Sequence, residues 1–117
     1  GVNLDYSERS VISLFRHVCA EIALLPGWEV DQHAWHSRLG YYFGEAMVRA
    51  SSALKWGIGH HRSAFKNHPV VVGFSHGIEA ATINISYVIC SGILLRQREL
   101  VRIDEVVGRW FARVPVS

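Results

Sequence analysis

The chain has 117 residues, of which 50% are hydrophobic and 19% are charged, and its formal net charge is +2 at pH 7. This composition excludes an intrinsically disordered chain and predicts one globular domain, covering residues 1–117, with a single core. No uncharged apolar stretch is long enough to predict a membrane span, so we expect no membrane partner.

The first predicted element is an amphipathic helix that ends before Pro26-Gly27. Asp5 followed three residues later by Glu8 predicts a capping box at its start. Its apolar residues recur at helical spacing, and they are Val11, Leu14, Phe15, Val18, Cys19 and Ile22.

A second helix is predicted from Asp31, as N-cap, to about Trp56. Its apolar stripe comprises Trp35, Leu39, Tyr42, Ala46, Ala50 and Leu54. Gly40 and Gly44 lie one turn apart in this helix, and each costs about 1 kcal/mol relative to alanine. We therefore expect another element to approach the helix closely there. The first helix is the simplest candidate, and a second subunit or a ligand is the alternative.

The second half is predicted to form strands. Residues 70–75 begin with a β-branched run, and residues 82–89 alternate polar and apolar side chains, the pattern of a half-buried strand. With glycine turn signals between them, these runs predict a three-stranded antiparallel meander near residues 69–75, 78–90 and 93–103. Residues 96–100 have high helix propensity, so one helix over residues 78–100 is the alternative.

A last helix is predicted to begin at Asp104. One of its faces is apolar and carries Val106, Val107, Trp110, Phe111 and Val114. The predicted fold is therefore α+β, with two N-terminal helices and a C-terminal helix packed on a small antiparallel β-meander. An all-α helical bundle is the alternative.

Cys19 and Cys90 are the only cysteines, and each has apolar neighbours. Their separation matches no zinc-binding pattern. We predict two buried free thiols in a cytoplasmic protein, and a single disulfide is the alternative. The first ten residues carry three charged side chains and no apolar run, so no signal peptide is expected among them.

The segment Gly73-Phe74-Ser75-His76-Gly77 follows an apolar run and fits the pattern G-x-S-x-G. It resembles the nucleophile elbow of the α/β-hydrolase family over about eight residues. The resemblance implies a nucleophilic serine at Ser75, with an acid and then a histidine later in the chain. The only later histidine is His76, so no base stands in the expected order. Ser75 and His76 are the catalytic candidates of an alternative serine-hydrolase function, with His68 and His61 as further possible bases.

His33 and His36 are three residues apart in the second predicted helix and are the candidates for a metal site. No third ligand is fixed by the sequence, because a helix of about 25 residues separates its two ends by about 37 Å and keeps His60 and His61 away. Surface or helix-capping histidines are therefore the preferred interpretation. We predict neither a metal nor a cofactor.

The aromatic content exceeds what one narrow helix stripe can bury. We predict a small non-catalytic binding module, with a pocket for a small, mostly apolar ligand between helix two and the sheet. The candidate ligand-binding residues are Trp35, Tyr42, Phe43 and Trp56.

The apolar surplus also predicts a homodimer, through the glycine side of helix two or through the last helix at Trp110 and Phe111. A third class, nucleic-acid binding, depends on Arg96, Arg98 and Arg102 together with the loop that contains His60, His61, Arg62 and Lys66. No aromatic residue interrupts the arginine row to stack bases, so nucleic acid is not the expected partner.

Overall fold

The computed structural model describes residues 4–95 and 101–116, and describes side chains at residues 4–90 and 102–116. Its helices are α1 (Glu8–Ala20), α2 (Trp28–Ala50), α3 (Thr82–Leu95) and α4 (Val101–Ala112), and its strands are β1 (Lys55–Ile58) and β2 (Pro69–Val72). With 61% helix and 11% strand, the fold class is α+β, as predicted. The two N-terminal helices and the C-terminal helix are present, whereas only β2 of the two strands lies where a strand was predicted.

The N-cap of α1 lies two residues after Asp5, the N-cap of the predicted capping box. Ser7 is the N-cap, and its side chain accepts a hydrogen bond from the Ser10 N–H at 3.1 Å. Glu8 is thus the first helical residue, not the third. Asp5 supports the cap from outside, because its carboxylate accepts hydrogen bonds from the backbone and hydroxyl of Ser7, and these bonds lower the pKa of Asp5.

The α2 helix begins at Trp28, three residues before the predicted N-cap, and ends at Ala50. It stops there because Ser51 directs the chain into a turn: its hydroxyl accepts from the Ala53 N–H at 3.2 Å, and its carbonyl accepts from the Leu54 N–H. Serine side chains compete in this way with helical hydrogen bonding. Trp56, predicted at the end of the helix, therefore lies in β1.

The strands form one two-stranded antiparallel sheet, in which Trp56 is opposite Val71. Only β2 falls within the predicted meander. Residues 78–90 were predicted as a strand and instead contain most of α3, so the helical alternative is correct for Thr82–Leu95. The predicted strand at 93–103 is also wrong where it is described, since residues 93–95 belong to α3 and residues 101–103 to α4; residues 96–100 lie outside the described residues.

The burial of α3 explains why the strand prediction failed. Thr82 and Ser86, polar residues one turn apart, are fully buried, and Ile89 and Cys90 continue the same helical face. The polar positions of the alternating pattern therefore do not all face solvent, as a half-buried strand would require.

The α4 helix begins before Asp104, which does not act as its N-cap. Asp104 instead accepts a hydrogen bond from Arg16 of α1 at 2.8 Å, in an ion pair with both side chains nearly half exposed. Ile103 and Val107 of α4 are fully buried. The ring of Phe43 joins the helices in the core, meeting Phe15 edge-on at 5.8 Å between centroids and stacking on Phe111 at 6.2 Å.

The two cysteines form a disulfide, so the prediction of free thiols is wrong. Cys19 of α1 and Cys90 of α3 are both buried, and their Cα atoms are 5.4 Å apart, a normal separation for a disulfide. The sequence could not show this pairing, because the two cysteines are 71 residues apart along the chain.

The two glycines of α2 receive partners from the second half of the chain. A Cβ atom at Gly40 would lie 2.5 Å from the Cα atom of Ile83, at the start of α3. A Cβ atom at Gly44 would overlap the six-membered ring of Trp56. The predicted close approach is present, but its partners are α3 and Trp56, not helix one. Both glycines are buried by these partners within the chain.

We expect Gly40→Ala to destabilise the protein by about 1–3 kcal/mol, the usual cost of overpacking, because the new methyl group meets backbone atoms that cannot rotate away. Urea unfolding measures the effect. Gly108→Ala is the matched control: a Cβ atom at Gly108 in α4 meets nothing within 4 Å, so this change should stabilise by about 1 kcal/mol. Equal effects at the two positions would contradict the close contact.

Candidate functional site

A groove of about 310 Å³ lies where the loop between the strands meets the turn that follows β2. Its lining residues are Ile58, His60, Val72, Gly73, Gly77, Ile78 and Glu79. Three of them supply aliphatic side chains and two supply polar ones, while the two glycines leave backbone exposed to the groove.

Backbone contacts hold the two sides of this groove together. Val71 and Ala80 exchange two hydrogen bonds, of 3.0 and 2.9 Å, so the turn at 73–79 is pinned against β2. Gly73 opens this turn with a φ of +112°, and a side chain there would collide with the carbonyl of Ala53. Only glycine combines this φ with so close an approach.

The polar residues of the groove are connected to each other. The backbone N–H of His60 donates to Oε2 of the half-buried Glu79 at 2.8 Å. The His60 ring packs on His61, and its Nδ1 accepts from the Arg62 N–H at 3.1 Å. A neutral His60 therefore carries its proton on Nε2 and can donate a hydrogen bond from there.

Two aliphatic side chains at the groove are exposed to solvent. Ile58 is 70% exposed and Ile78 is 37% exposed, although both are large apolar side chains. Val72 is half-buried and so is less exposed than either isoleucine. Covering such side chains gains about 25 cal/mol for each Å² of apolar surface removed from water. The groove is therefore suited to an apolar ligand that also meets a carboxylate.

Ser75 and His76 lie beside this groove in a short 3₁₀ turn, Ser75–Gly77, and both are exposed. His76, not Ser75, takes the left-handed conformation, with a φ of +63°. The helix that should follow a nucleophile elbow directly begins only at Thr82. Within residues 4–95 and 101–116, no hydrogen bond joins the Ser75 hydroxyl to a histidine.

The four predicted ligand-binding aromatics do not line the groove. Phe43 is fully buried in the core. Tyr42 is buried as well, and its hydroxyl accepts from the Tyr6 N–H at 2.9 Å and bonds the Ser10 hydroxyl at 2.8 Å. Its ring also stacks on Tyr6, so Tyr42 anchors the N-terminal segment on α2.

Trp56 and Trp35 are half-buried and lie against other side chains. Trp56 stacks on Tyr41 at 5.6 Å, and its Nε1–H donates to Glu45 at 3.0 Å. This bond, together with one from Arg49, lowers the pKa of Glu45. The Trp35 ring has the guanidinium of Arg38 at 5.2 Å.

The candidate metal ligands belong to the packing of α2 on α3. His36 is only 2% exposed, its Nδ1 bonds the Ser86 hydroxyl at 2.6 Å, and its ring meets Tyr87 at 4.0 Å. His33 bonds the hydroxyl of Tyr87 through Nδ1. Among the described residues no group of three or more potential metal ligands occurs.

His36 therefore differs from the expected surface or capping histidine. Burial away from water, and next the charge of nearby His33, lower the pKa of His36 to about 4. The burial of His36 could have been predicted from the sequence. His36 precedes the buried Leu39 by three residues and Phe43 by seven, so it continues the apolar stripe.

The basic residues of the third hypothesis are spread over two regions. His60, His61, Arg62 and Lys66 are exposed in the loop between the strands. Arg102 lies on α4, not in a strand, while Arg96 and Arg98 lie outside the described residues. Arg102 is therefore not part of the arginine row on a sheet face that the sequence predicted.

Comparison with protein-family models, with curated proteins and with solved structures finds no match for this chain. None of the helices in the described part of the chain has the length and hydropathy needed to cross a lipid bilayer. Function must therefore be inferred from the geometry and chemistry of the chain's own residues.

We expect His36 to make stability depend on pH. Its pKa is about 4 in the folded protein and 6.5 in an ordinary imidazole, so the unfolded chain binds more protons between these values. Neutral His36 makes its full contribution to the free energy of unfolding above pH 6.5. This contribution, about 3 kcal/mol, is lost as the pH falls toward 4. Urea unfolding at pH 7 and pH 4.5, compared between wild type and His36→Gln, measures it.

Exposed His61→Gln is the control and should keep the wild-type pH dependence. If His36→Gln does not fold, an NMR titration of the wild-type His36 ring tests the same expectation. Equal pH dependence in wild type and His36→Gln, or a ring that titrates near pH 6.5, would contradict it.

Proposed function

We propose that the protein is a small non-catalytic binding module, and that the groove beside β2 takes a small, mostly apolar ligand. The observation that carries this proposal is the meeting of three aliphatic side chains with a connected polar pair, His60 and Glu79. Ligand sites typically combine apolar walls with a few polar groups that orient the ligand. A volume of about 310 Å³ is at the low end of such sites, which favours a small ligand.

The proposed site differs from the aromatic pocket expected from the sequence. The aromatic side chains of α2 stabilise the fold, whereas the groove uses residues of a loop and a turn. Ile58 is the most informative residue, because its exposure means that it can be changed at little cost to the core.

We expect a screen of small aliphatic and aromatic alcohols and amines to shift the amide resonances of the groove residues. Ile58→Ser should weaken binding of the best fragment about tenfold, since losing part of an isoleucine contact is worth about 1.4 kcal/mol. Val88→Ser, which changes an equally exposed aliphatic residue on α3, should leave the affinity unchanged. No shift at millimolar fragment concentrations would overturn the proposal.

We also propose that the module is a homodimer. Large exposed apolar side chains in the described residues include Leu24, Leu25, Val30, Tyr41, Ile58 and Val88. With the glycine side of α2 occupied, the α4 side remains as the proposed contact. Trp110 of α4 packs on Phe74, and Phe111 packs on Phe43. Both α4 residues are only half-buried, so part of each ring is still exposed and could lie in a contact.

Light scattering at micromolar concentration should give twice the chain mass of 13.2 kDa. Trp110→Ala should shift the measured mass toward the monomer, because the exposed part of the indole would lie in the contact. A stable mass of 13.2 kDa for the wild type would show that the dimer is wrong.

A serine hydrolase using Ser75 is the second candidate function, and the exposure of the Ser75 hydroxyl is the observation in its favour. The binding-module proposal predicts the opposite result in a labelling experiment. A fluorophosphonate probe should form no adduct at Ser75 under conditions that label a known serine hydrolase, because no histidine bonds the hydroxyl in the described structure. An adduct that Ser75→Ala abolishes would favour the hydrolase.

The disulfide bears on the compartment. Structural disulfides persist in oxidising compartments and are rare in the cytosol. The Cys19–Cys90 bond therefore supports an oxidising compartment instead of the cytoplasm expected from free thiols.

A further inference from the structure

The α3 helix carries the tripeptide Asn84-Ile85-Ser86 near its start. This is the acceptor pattern for N-linked glycosylation: asparagine, any residue except proline, then serine or threonine. The other two asparagines lack it, since Asn3 is followed by Leu4-Asp5 and Asn67 by His68-Pro69. We propose that Asn84 is a glycosylation site of this protein.

The fold leaves room for a glycan at this position. Asn84 is exposed, while the neighbouring Ile83 and Ile85 are half-buried against the protein. Val88 lies one turn further along the same face and is 73% exposed. Residues four apart are neighbours on a helix surface, so the first sugar on Asn84 would cover part of Val88. The modification thus removes an exposed apolar side chain from water and displaces no packed group.

The disulfide provides the second, independent observation. Cys90 is in the same helix as Asn84, and its bond to Cys19 forms where thiols are oxidised. The endoplasmic reticulum lumen is such a compartment, and N-glycans are attached there. Neither observation depends on the other, because one concerns a tripeptide and the other a pair of distant cysteines.

The structure also sets the order of events. The Ser86 hydroxyl, which the transferase must recognise, is fully buried and bonded to His36 of α2 in the folded protein. Glycan transfer therefore precedes the docking of α3 on α2. After docking, Ser86 is hidden and only Asn84, the glycan carrier, faces solvent.

The transfer needs a lipid-pyrophosphate-linked oligosaccharide as co-reactant. The side-chain amide nitrogen of Asn84 forms a bond to C1 of the first sugar, and the bond from C1 to the pyrophosphate oxygen breaks. The lipid pyrophosphate leaves with that electron pair, and the amide nitrogen gives one proton to a base of the transferase. No oxidation or reduction takes place.

The test uses the protein isolated from the cells that produce it. Digestion with peptide N-glycosidase in heavy-oxygen water converts a glycosylated asparagine into labelled aspartate, which mass spectrometry detects. We expect the label at residue 84 and none at Asn67, an exposed asparagine that serves as the internal control. The Cys19–Cys90 bond is read in the same digest, without reduction.

Variants made in the same cells extend the test. Asn84→Gln should lose the glycan completely, and Ser86→Thr should keep it, because threonine also satisfies the acceptor pattern. Should either variant fail to accumulate, the wild-type digest decides alone. An unlabelled residue 84 overturns the proposal, whether the disulfide is present or absent. If residue 84 is unlabelled but the disulfide is present, the glycosylation proposal fails and the proposal of an oxidising compartment remains supported.

Discussion

The approach of α3 to α2 at Gly40 is the contact on which the rest of the structure depends. Because Gly40 has no Cβ atom, the backbone of Ile83 comes so close that a Cβ atom there would lie 2.5 Å from its Cα atom. Ser86 of α3 is buried as a result, so it needs a partner from inside the protein. Ser86 finds one in His36, which stays neutral because the same burial lowers its pKa to about 4. The unusual histidine is thus a consequence of the glycine.

The same helix face also determines the shape of the groove. Gly44 leaves room for the indole of Trp56 against α2, which positions β1, and β1 pairs with β2. At the other end of the turn, α3 is held by Gly40 and by the disulfide at Cys90. The segment between β2 and α3 is therefore fixed at both ends. Residues 73–79 form one side of the groove in consequence.

Periodicity in the sequence was sufficient for α1 and for most of α2, because their buried residues follow a single apolar stripe. It was not sufficient for α3, where the polar residues Thr82 and Ser86 are buried and the apolar residue Val88 is exposed. The partner that makes Ser86 acceptable inside is 50 residues away, so no local pattern can reveal it. The groove was missed for a similar reason. Its residues come from a loop and a turn brought together by the Val71–Ala80 bridge, and no motif marks them.

The residues that stabilise the fold and those of the proposed ligand groove consequently lie in different parts of the molecule. The aromatic residues that the sequence suggested for a ligand pack in the core or against side chains of α2, so changing them would alter folding. Ile58 at the groove is 70% exposed, so it adds little to the core. A ligand that covers Ile58 and Ile78 would bury apolar surface that remains exposed to water in the folded protein. A substitution at Ile58 would therefore test the proposed binding at almost constant stability, whereas substitutions at Gly40 or His36 would also change stability.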